Sequence, residues 1–335
     1  MIDLSEWGFE GVPATQWQAD SRPARVVRVD RGECDVVSSA GHLRVLSDSH
    51  RAQGETAPVT GDWVELEEED GLGTVIGRIL PRRSRISRRD PAERDIEQIL
   101  ASNVDRVAVV HGLDRPLPAG RLERLLVIAL DSGGHPLVVL TKTDDRLDND
   151  TETVVRSVAR DVPVVLTSTV EPDGLDDLVS MMAPTKTLAL VGASGVGKSS
   201  LVNALAGDEI LETGEVRDSD AKGRHTTTAR ELILLPEDRG LLLDTPGIRS
   251  VGLWEAEHAL EVVFDDLMEL ADQCRFRDCL HDREPGCAIT EQAGRGSIDR
   301  YRVQRFRDLT AELAQQRHRE EQRSRKKPKG RRRPR

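Results

Sequence analysis

Gly192-Ala193-Ser194-Gly195-Val196-Gly197-Lys198-Ser199 fits the pattern G-x-x-x-x-G-K-[ST], and its reading decides the fold. The apolar run Thr187 to Val191 predicts a buried strand before it. Ser200 to Leu205 predicts a helix after it, with Leu201 and Leu205 on one face. Strand, glycine loop and helix form a phosphate cradle: the glycines let backbone N–H groups turn inward, and the helix N-terminus favours an anion. Lys198 is then the candidate cation for the β- and γ-phosphates and Ser199 a Mg²⁺ ligand, with the contacts running on to Ser200.

Downstream, Gly240-Leu-Leu-Leu-Asp244-Thr-Pro-Gly247 reads as an apolar strand ending in a carboxylate and a turn. Asp244 stands where a Mg²⁺-holding carboxylate acts through water, and the Gly247 N–H is placed to sense a γ-phosphate. Between them Gly223-Arg224-His225-Thr226-Thr227-Thr228 reads as a switch loop, one of whose Thr hydroxyls ligates Mg²⁺. Thr227 is taken as that ligand, with Thr226 and Thr228 as alternatives. The same three β-branched residues also suit the start of a strand.

Base reading comes from upstream. Pro136 to Leu140 predicts a buried strand that delivers Thr141-Lys142-Thr143-Asp144. A carboxylate there accepts from guanine N1 and N2, a donor pair that adenine lacks, while the lysine stem packs on the base. Thr141 stands where the commoner motif has Asn; its hydroxyl can still bond but lacks the amide's bridging capacity, which leaves the tightness of nucleotide binding open. A second strand, Val162 to Leu166, ends in Thr167-Ser168, a further turn against guanine. These features disfavour an ATP-using kinase.

The order is therefore base-reading Asp, second base turn, phosphate loop, switch, Mg²⁺ Asp. A Ras-like GTPase begins instead with the phosphate loop. The same doubly wound sheet, cut between the Mg²⁺ strand and the guanine strands, gives this order, and the site survives because its groups sit at strand ends. Whatever follows Gly247 then hangs directly from the second switch. Ile248 occupies the place where Ras-like enzymes carry a water-orienting Gln. Slow intrinsic hydrolysis is thus expected, with His225 the substitute and a partner ordering the loop.

Cys274, Cys279, His281 and Cys287 supply three thiolates and an imidazole within fourteen residues, the donor set of one closed structural zinc site. Arg275, Arg277 and Arg283 are at hand to offset its net negative charge. Cys34 is the one other cysteine, too far away for a disulfide framework and expected to be buried.

Together these stretches resemble the RsgA (YjeQ) family, circularly permuted ribosome-assembly GTPases, most specifically over Gly192–Ser200, Gly223–Thr228, Asp244–Ile248 and Cys274–Ile289. The resemblance implies an N-terminal OB-fold β-barrel, a circularly permuted α/β P-loop GTPase domain and a C-terminal, mainly helical zinc-binding domain. It further implies GTP hydrolysis stimulated by the small ribosomal subunit and its rRNA, with binding in the GTP state and release after hydrolysis. The alternative is a nucleotide-gated RNA-binding module in which hydrolysis is incidental.

The remaining sequence is consistent with that division: 1–90 for the N-terminal segment and barrel, 91–252 for the GTPase, 253–322 for the zinc-binding and helical part, 323–335 for a basic tail. Ala24–Asp30, Glu33–Ser38, His42–Leu46, Gly61–Glu67 and Gly73–Leu80 read as short barrel strands. Trp63 is the one aromatic among them, so RNA contact is expected through backbone and shape rather than stacking. Pro81 to Arg89 reads as a basic linker, either a phosphate-contacting strip or a solvated hinge. Ile298 to Gln322 reads as a charged helix. The net charge of −11 argues against a generic nucleic-acid binder, yet Arg323 to Arg335 holds nine basic residues and no acid, a tail a polyanion can order. No apolar run approaches a membrane span and Met1 to Asp20 lacks signal-peptide features. A cytoplasmic, monomeric protein working with GTP/GDP, Mg²⁺ and zinc, away from membranes, is the expectation.

Overall fold

The structure is a computed structural model that describes residues 1–11, 17, 21–47, 57–89, 97–145, 150–171, 174–182, 184–210, 230–244, 253 and 256–326. Two compact units are present: Met1–Arg88 with Gln98–Val251, and Arg89–Glu97 with Gly252–Arg335.

In the first unit, β1 (Arg22–Val29), β2 (Glu33–Ser38), β3 (Gly41–Leu46), β4 (Trp63–Glu69) and β5 (Gly73–Ile79) form a barrel. They pair in the order β1-β2-β3-β5-β4 and close through β1–β4. All pairs are antiparallel except β3–β5, giving an OB-like barrel. Alternating residues Ala24, Val26, Cys34, Val36, Val45, Val64, Leu66 and Ile76 fill it. Burial pushes the Cys34 thiol up to about 12, so it packs as a small apolar group. Trp63 is 2% exposed, ringed by Phe9 and Trp17 at 5.3 and 6.1 Å. It belongs to the core and offers no stacking face.

The predicted linker is partly a strand. β6 (Arg85–Arg89) pairs with β7 (Glu97–Ser102) as a two-stranded sheet. The reason is visible in the burial of Ile86 and Ser87 and in the partner run at 97–102, which the sequence reading did not pick out. Asp62, fully buried, accepts two 2.7 Å bonds from Arg82 as well as bonds from Val59 N and Ser102 Oγ. Asp62→Ala takes the carboxylate away from Arg82, itself only 11% exposed and still bonded to the Ala57 carbonyl at 3.1 Å, and is expected to lower unfolding free energy by about 3–5 kcal/mol. A urea titration followed by fluorescence checks this; a loss below about 1 kcal/mol would contradict it.

The second sheet of this unit contains β8 (Arg106–Gly112), β9 (His135–Thr141), β10 (Val164–Leu166), β11 (Thr187–Val191), β12 (Glu231–Leu234) and β13 (Leu241–Asp244). Its order is β10-β9-β8-β11-β13-β12, parallel apart from β12. β10 starts later than predicted because Pro163 has no N–H to give, although its carbonyl still accepts from Val138. The helices of this half are α1 (Ala119–Asp131), α2 (Asp150–Ala159), α3 (Asp176–Met181) and α4 (Lys198–Ala206). Val139, Val165, Leu178, Leu190, Leu201, Leu205 and Leu242 share one core beneath the phosphate loop. Both the strand before that loop and the helix after it form as predicted.

Barrel and sheet are joined edge to edge. β12 pairs with β1 at Arg28↔Glu231, and Thr60 Oγ1 donates to the Arg230 carbonyl at 3.1 Å. Deeper, the buried Arg25 guanidinium donates to the carbonyls of Trp7 and Asn103 and to Thr187 Oγ1. Burial pushes it down to about 10, so it remains charged at neutral pH.

The second unit is helical: α5 (Glu257–Val263), α6 (Asp265–Ala271), α7 (Ala288–Gly294) and α8 (Arg300–Lys326). Phe264, at the α5–α6 corner, packs on Phe306 of α8 at 5.4 Å. Arg302 lies over Phe264 and grips both oxygens of Asp266 at 3.0 and 2.8 Å. The predicted helix therefore forms with the anchor Phe306 turned inward, and it runs four residues past its predicted end, to Lys326. Residues 327–335 of the basic tail lie outside the described residues.

Candidate nucleotide site and metal cluster

Parallel strands point their C-terminal ends to one edge of the sheet, where loops can converge on a ligand. β8 lies between β9 and β11, so the loops after β9 and β11 flank the loop after β8. The sequence reading passed over β8, although Arg106-Val-Ala-Val-Val-His-Gly112 carries the apolar, β-branched signal of a buried strand.

In the phosphate loop, Gly192 has φ 156° and Gly195 φ 75°, and Gly197 caps α4 with φ 92°. A Cβ on Gly192 would come within 2.4 Å of the Val110 carbonyl, so the loop can lie against β8 only with glycine there. Val196 is fully buried and anchors the loop in the core. Lys198 Nζ donates to the Gly192 carbonyl at 3.0 Å and to that of Ala193, which keeps the ammonium over the loop. Ser199 and Ser200 sit in the first turn of α4.

Thr141, at the end of β9, reaches this loop directly. Its Oγ1 donates to the Val196 carbonyl at 2.5 Å and lies 3.3 Å from the His111 carbonyl. The hydroxyl thus links the turn after β9 to the phosphate loop, where the sequence had pointed to the loss of an amide's bridging. Thr141→Val keeps the shape and removes the donor, leaving a buried carbonyl unpaired at about 1–3 kcal/mol. GDP affinity is expected to fall by about tenfold or more, read from a fluorescence titration; a change under about twofold would show that the bridge is dispensable.

Beyond Thr141, Lys142 takes φ 59° and its Nζ lies 2.6 Å from Asp114 Oδ2. Asp144 Oδ1 accepts from Ser168 Oγ at 2.7 Å. Thr143 N and Oγ1 both face the Thr167 carbonyl at 3.4 and 3.3 Å, and Thr167 N donates to Leu140 at 2.7 Å. The two predicted base-contacting turns, from β9 and β10, are therefore one hydrogen-bonded assembly with the Asp144 carboxylate oriented by Ser168.

Asp114 and Arg115, in the loop after β8, were missed from sequence. Arg115 bonds both Asp114 oxygens at 3.1 and 2.9 Å and the Gly195 carbonyl at 3.2 Å. The hydrogen bond from Arg115, then that from Lys142, hold the Asp114 carboxyl down to about 2 against partial burial. Burial pushes His111 below the usual histidine value. Its Nε2 is 3.0 Å from the Arg115 carbonyl; a carbonyl only accepts, so the proton is on Nε2. No signal short of recognising β8 would have found these residues.

Asp244 is the last residue of β13, beside the strand that leads into the phosphate loop. His225, Thr227 and Gly247 lie outside the described residues.

In the second unit, Cys274, Cys279, His281 and Cys287 bring their ligand atoms within 4.8 Å of one another, a group able to hold a metal ion. Cys274 Sγ and Cys287 Sγ are each 3.6 Å from His281 Nδ1 and 3.9 Å from each other. Metal bonds of about 2.3 Å to sulfur and 2.0–2.1 Å to nitrogen give tetrahedral edges of about 3.6–3.8 Å, so Cys274, Cys287 and His281 lie at separations that fit zinc. Cys287 caps α7 and accepts from Thr290 N and Oγ1 at 3.4 and 3.3 Å. His281 adopts φ 60°, the turn that brings its ring back toward the sulfurs. Arg307 of α8 reaches Thr290 Oγ1 and the Asp282 carbonyl, tying the cluster to the long helix.

Comparison with known proteins agrees with this geometry. The RsgA GTPase family profile matches residues 79–254. The chain is 43% identical, over 87% of its length and 80% of the relative's, to the small ribosomal subunit biogenesis GTPase RsgA of Streptomyces coelicolor. It is 40% identical to the protein of the same name from Opitutus terrae, over 87% of this chain and 83% of that one. Among solved structures, YjeQ from Thermotoga maritima superposes with a TM-score of 0.61 at 26% identity, covering 88% of this chain and 99% of that one. YloQ, described as a circularly permuted GTPase, gives 0.61 at 26%, covering 89% and 96%.

Proposed function

Because this chain is a GTPase of the RsgA family, we propose that it hydrolyses GTP during late maturation of the small ribosomal subunit, binding the subunit and its rRNA in the GTP state and leaving after hydrolysis. The observation that carries the nucleotide half of this reading is the Thr141–Val196 bond, which makes one site of loops far apart in the chain. In that site Asp144 reads guanine, supported by Thr143, Thr167 and Ser168, and the Lys142 stem packs on the base. Backbone N–H groups of Gly192 to Ser199, with Lys198, hold the phosphates. Ser199, Thr227 and, through water, Asp244 hold Mg²⁺, and Gly247 senses the γ-phosphate.

His225 orients the attacking water, since Ile248 cannot. His225→Ala is expected to reduce subunit-stimulated turnover about 100-fold or more with nucleotide affinity unchanged; unaltered turnover removes it from the mechanism. The Cys274, Cys279, His281 and Cys287 cluster holds one structural zinc. The domain division at about residues 90, 252 and 322, a monomeric state and a cytoplasmic location away from membranes belong to the same reading. Among the described residues no helix is long and apolar enough to cross a membrane.

The deciding experiment measures GTPase rate with and without purified small subunits, then subunit binding with GTP, a non-hydrolysable analogue and GDP. Stimulation by subunits, with release only after hydrolysis, is the expected result. No stimulation would overturn the reading. Release without hydrolysis would leave a nucleotide-gated RNA-binding module.

A further inference from the structure

Lysine is a poor base platform unless something holds it. Its four-carbon stem loses rotamer freedom when fixed, so a site that fixes Lys142 in advance meets this cost during folding rather than on binding. Such a device is present. Asp114 Oδ2 takes the Lys142 ammonium at 2.6 Å while the same carboxylate takes Arg115 through both oxygens. Arg115 in turn donates to the Gly195 carbonyl in the phosphate loop. The loop that carries the pair is itself anchored: Leu113 N donates to the Thr141 carbonyl at 2.9 Å, and His111 Nε2 donates to the Arg115 carbonyl. At Gly112 a Cβ would lie 2.5 Å from Asp114 Oδ1, so the carboxylate keeps its place only over a glycine.

From this chain of contacts we propose that Asp114 and Arg115 form a retention latch, a pair of positioning residues that pins Lys142 and ties the base-reading turn to the phosphate loop, thereby setting how slowly guanine nucleotides dissociate. The inference rests on the guanine-site reading above and extends it to residues that belong to neither the phosphate-loop nor the base-reading motif. Two consequences separate it from a local surface ion pair. Because Asp114 acts through Lys142, removing Asp114 adds little once Lys142 is gone. Because Gly195 and Lys142 serve the base end and the loop rather than the γ-phosphate alone, GDP and GTP are affected alike.

The test uses the full-length protein and GDP carrying a fluorescent N-methylanthraniloyl group on its ribose, chased with excess unlabelled GDP in a stopped flow. Asp114→Ala is expected to speed dissociation about tenfold, the equivalent of one lost charge-assisted hydrogen bond, and Lys142→Ala, which also takes the stem off the base, by at least as much. The double variant should stay within about twofold of the faster single variant. Arg115→Ala is expected to give about threefold. In steady-state hydrolysis of GTP, KM should rise by more than kcat falls. Dissociation within about twofold of wild type in Asp114→Ala, or multiplied effects in the double variant, would overturn the latch. Should Asp114→Ala fail to fold, Asp114→Asn decides by the same measurements, since it keeps the side chain's shape and removes its charge. A wild-type protein that fails to bind the labelled GDP would sink the guanine-site reading itself, whereas normal wild-type binding with unchanged variants sinks the latch alone.

Discussion

Asp144→Asn is expected to abolish useful GTP binding and to transfer preference to xanthosine triphosphate. In the proposed site the carboxylate, oriented by Ser168 at 2.7 Å, accepts from two guanine donors; each charge-assisted bond contributes about 1.5–3 kcal/mol. Turning one into a neutral bond and the other into a donor–donor clash lowers affinity by about 10²- to 10⁴-fold. An asparagine presents its carbonyl to N1–H, but its NH₂ meets the guanine amine donor to donor. Xanthine carries a carbonyl at that position, so the amide matches it. Competition between the two nucleotides for labelled GDP checks the reversal. GTP affinity within threefold of wild type would show that Asp144 does not read the base.

The second large effect concerns the Cys3His cluster. Full-length protein is expected to contain one zinc per chain, and Cys287→Ala to contain about none, because a tetrahedral site that loses a thiolate loses most of its affinity. The structural consequence follows from the position of Cys287 at the head of α7 and from the link through Thr290 to Arg307 on α8. Apparent zinc binding in small domains amounts to about 10–16 kcal/mol of folding free energy. The Phe264–Phe306 core of this unit makes the loss here partial rather than total. A separate, lower-temperature melting transition and reduced helical circular dichroism are the readout, with labelled GDP still bound by the first unit. A metal-free protein with an unaltered melting curve would contradict a structural role.

Much of this was legible in one chain because the chemistry is local. A phosphate loop needs glycines and a lysine within eight residues, and a metal clip needs its ligands within fourteen. The barrel strands were legible for a related reason, since Ala24 and Val26, Cys34 and Val36, and Val64 and Leu66 recur at every second position over short spans and close one core. Residues whose role depends on remote partners were not legible. Arg25 looks like an ordinary strand arginine until Asn103 and Thr187 are placed against it, and Arg85–Arg89 looks like a basic linker until 97–102 pairs with it. Trp63 had the composition of a stacking residue and proved to be core, because Phe9 and Trp17 fold over it from outside the barrel strands.

The sequence alone determined the order of the motifs, and with it the permuted topology, because that order is read from where the Lys142-Thr143-Asp144 triplet and the phosphate loop ending at Lys198-Ser199 fall along the chain. It also determined the donor set at Cys274 to Cys287. Only the tertiary structure decided how Thr141 substitutes for an amide and what holds Lys142. Both answers are contacts across the sheet, set by β8 lying between β9 and β11, and no spacing along the chain encodes which side chain from a neighbouring strand end will lie 2.6 Å away.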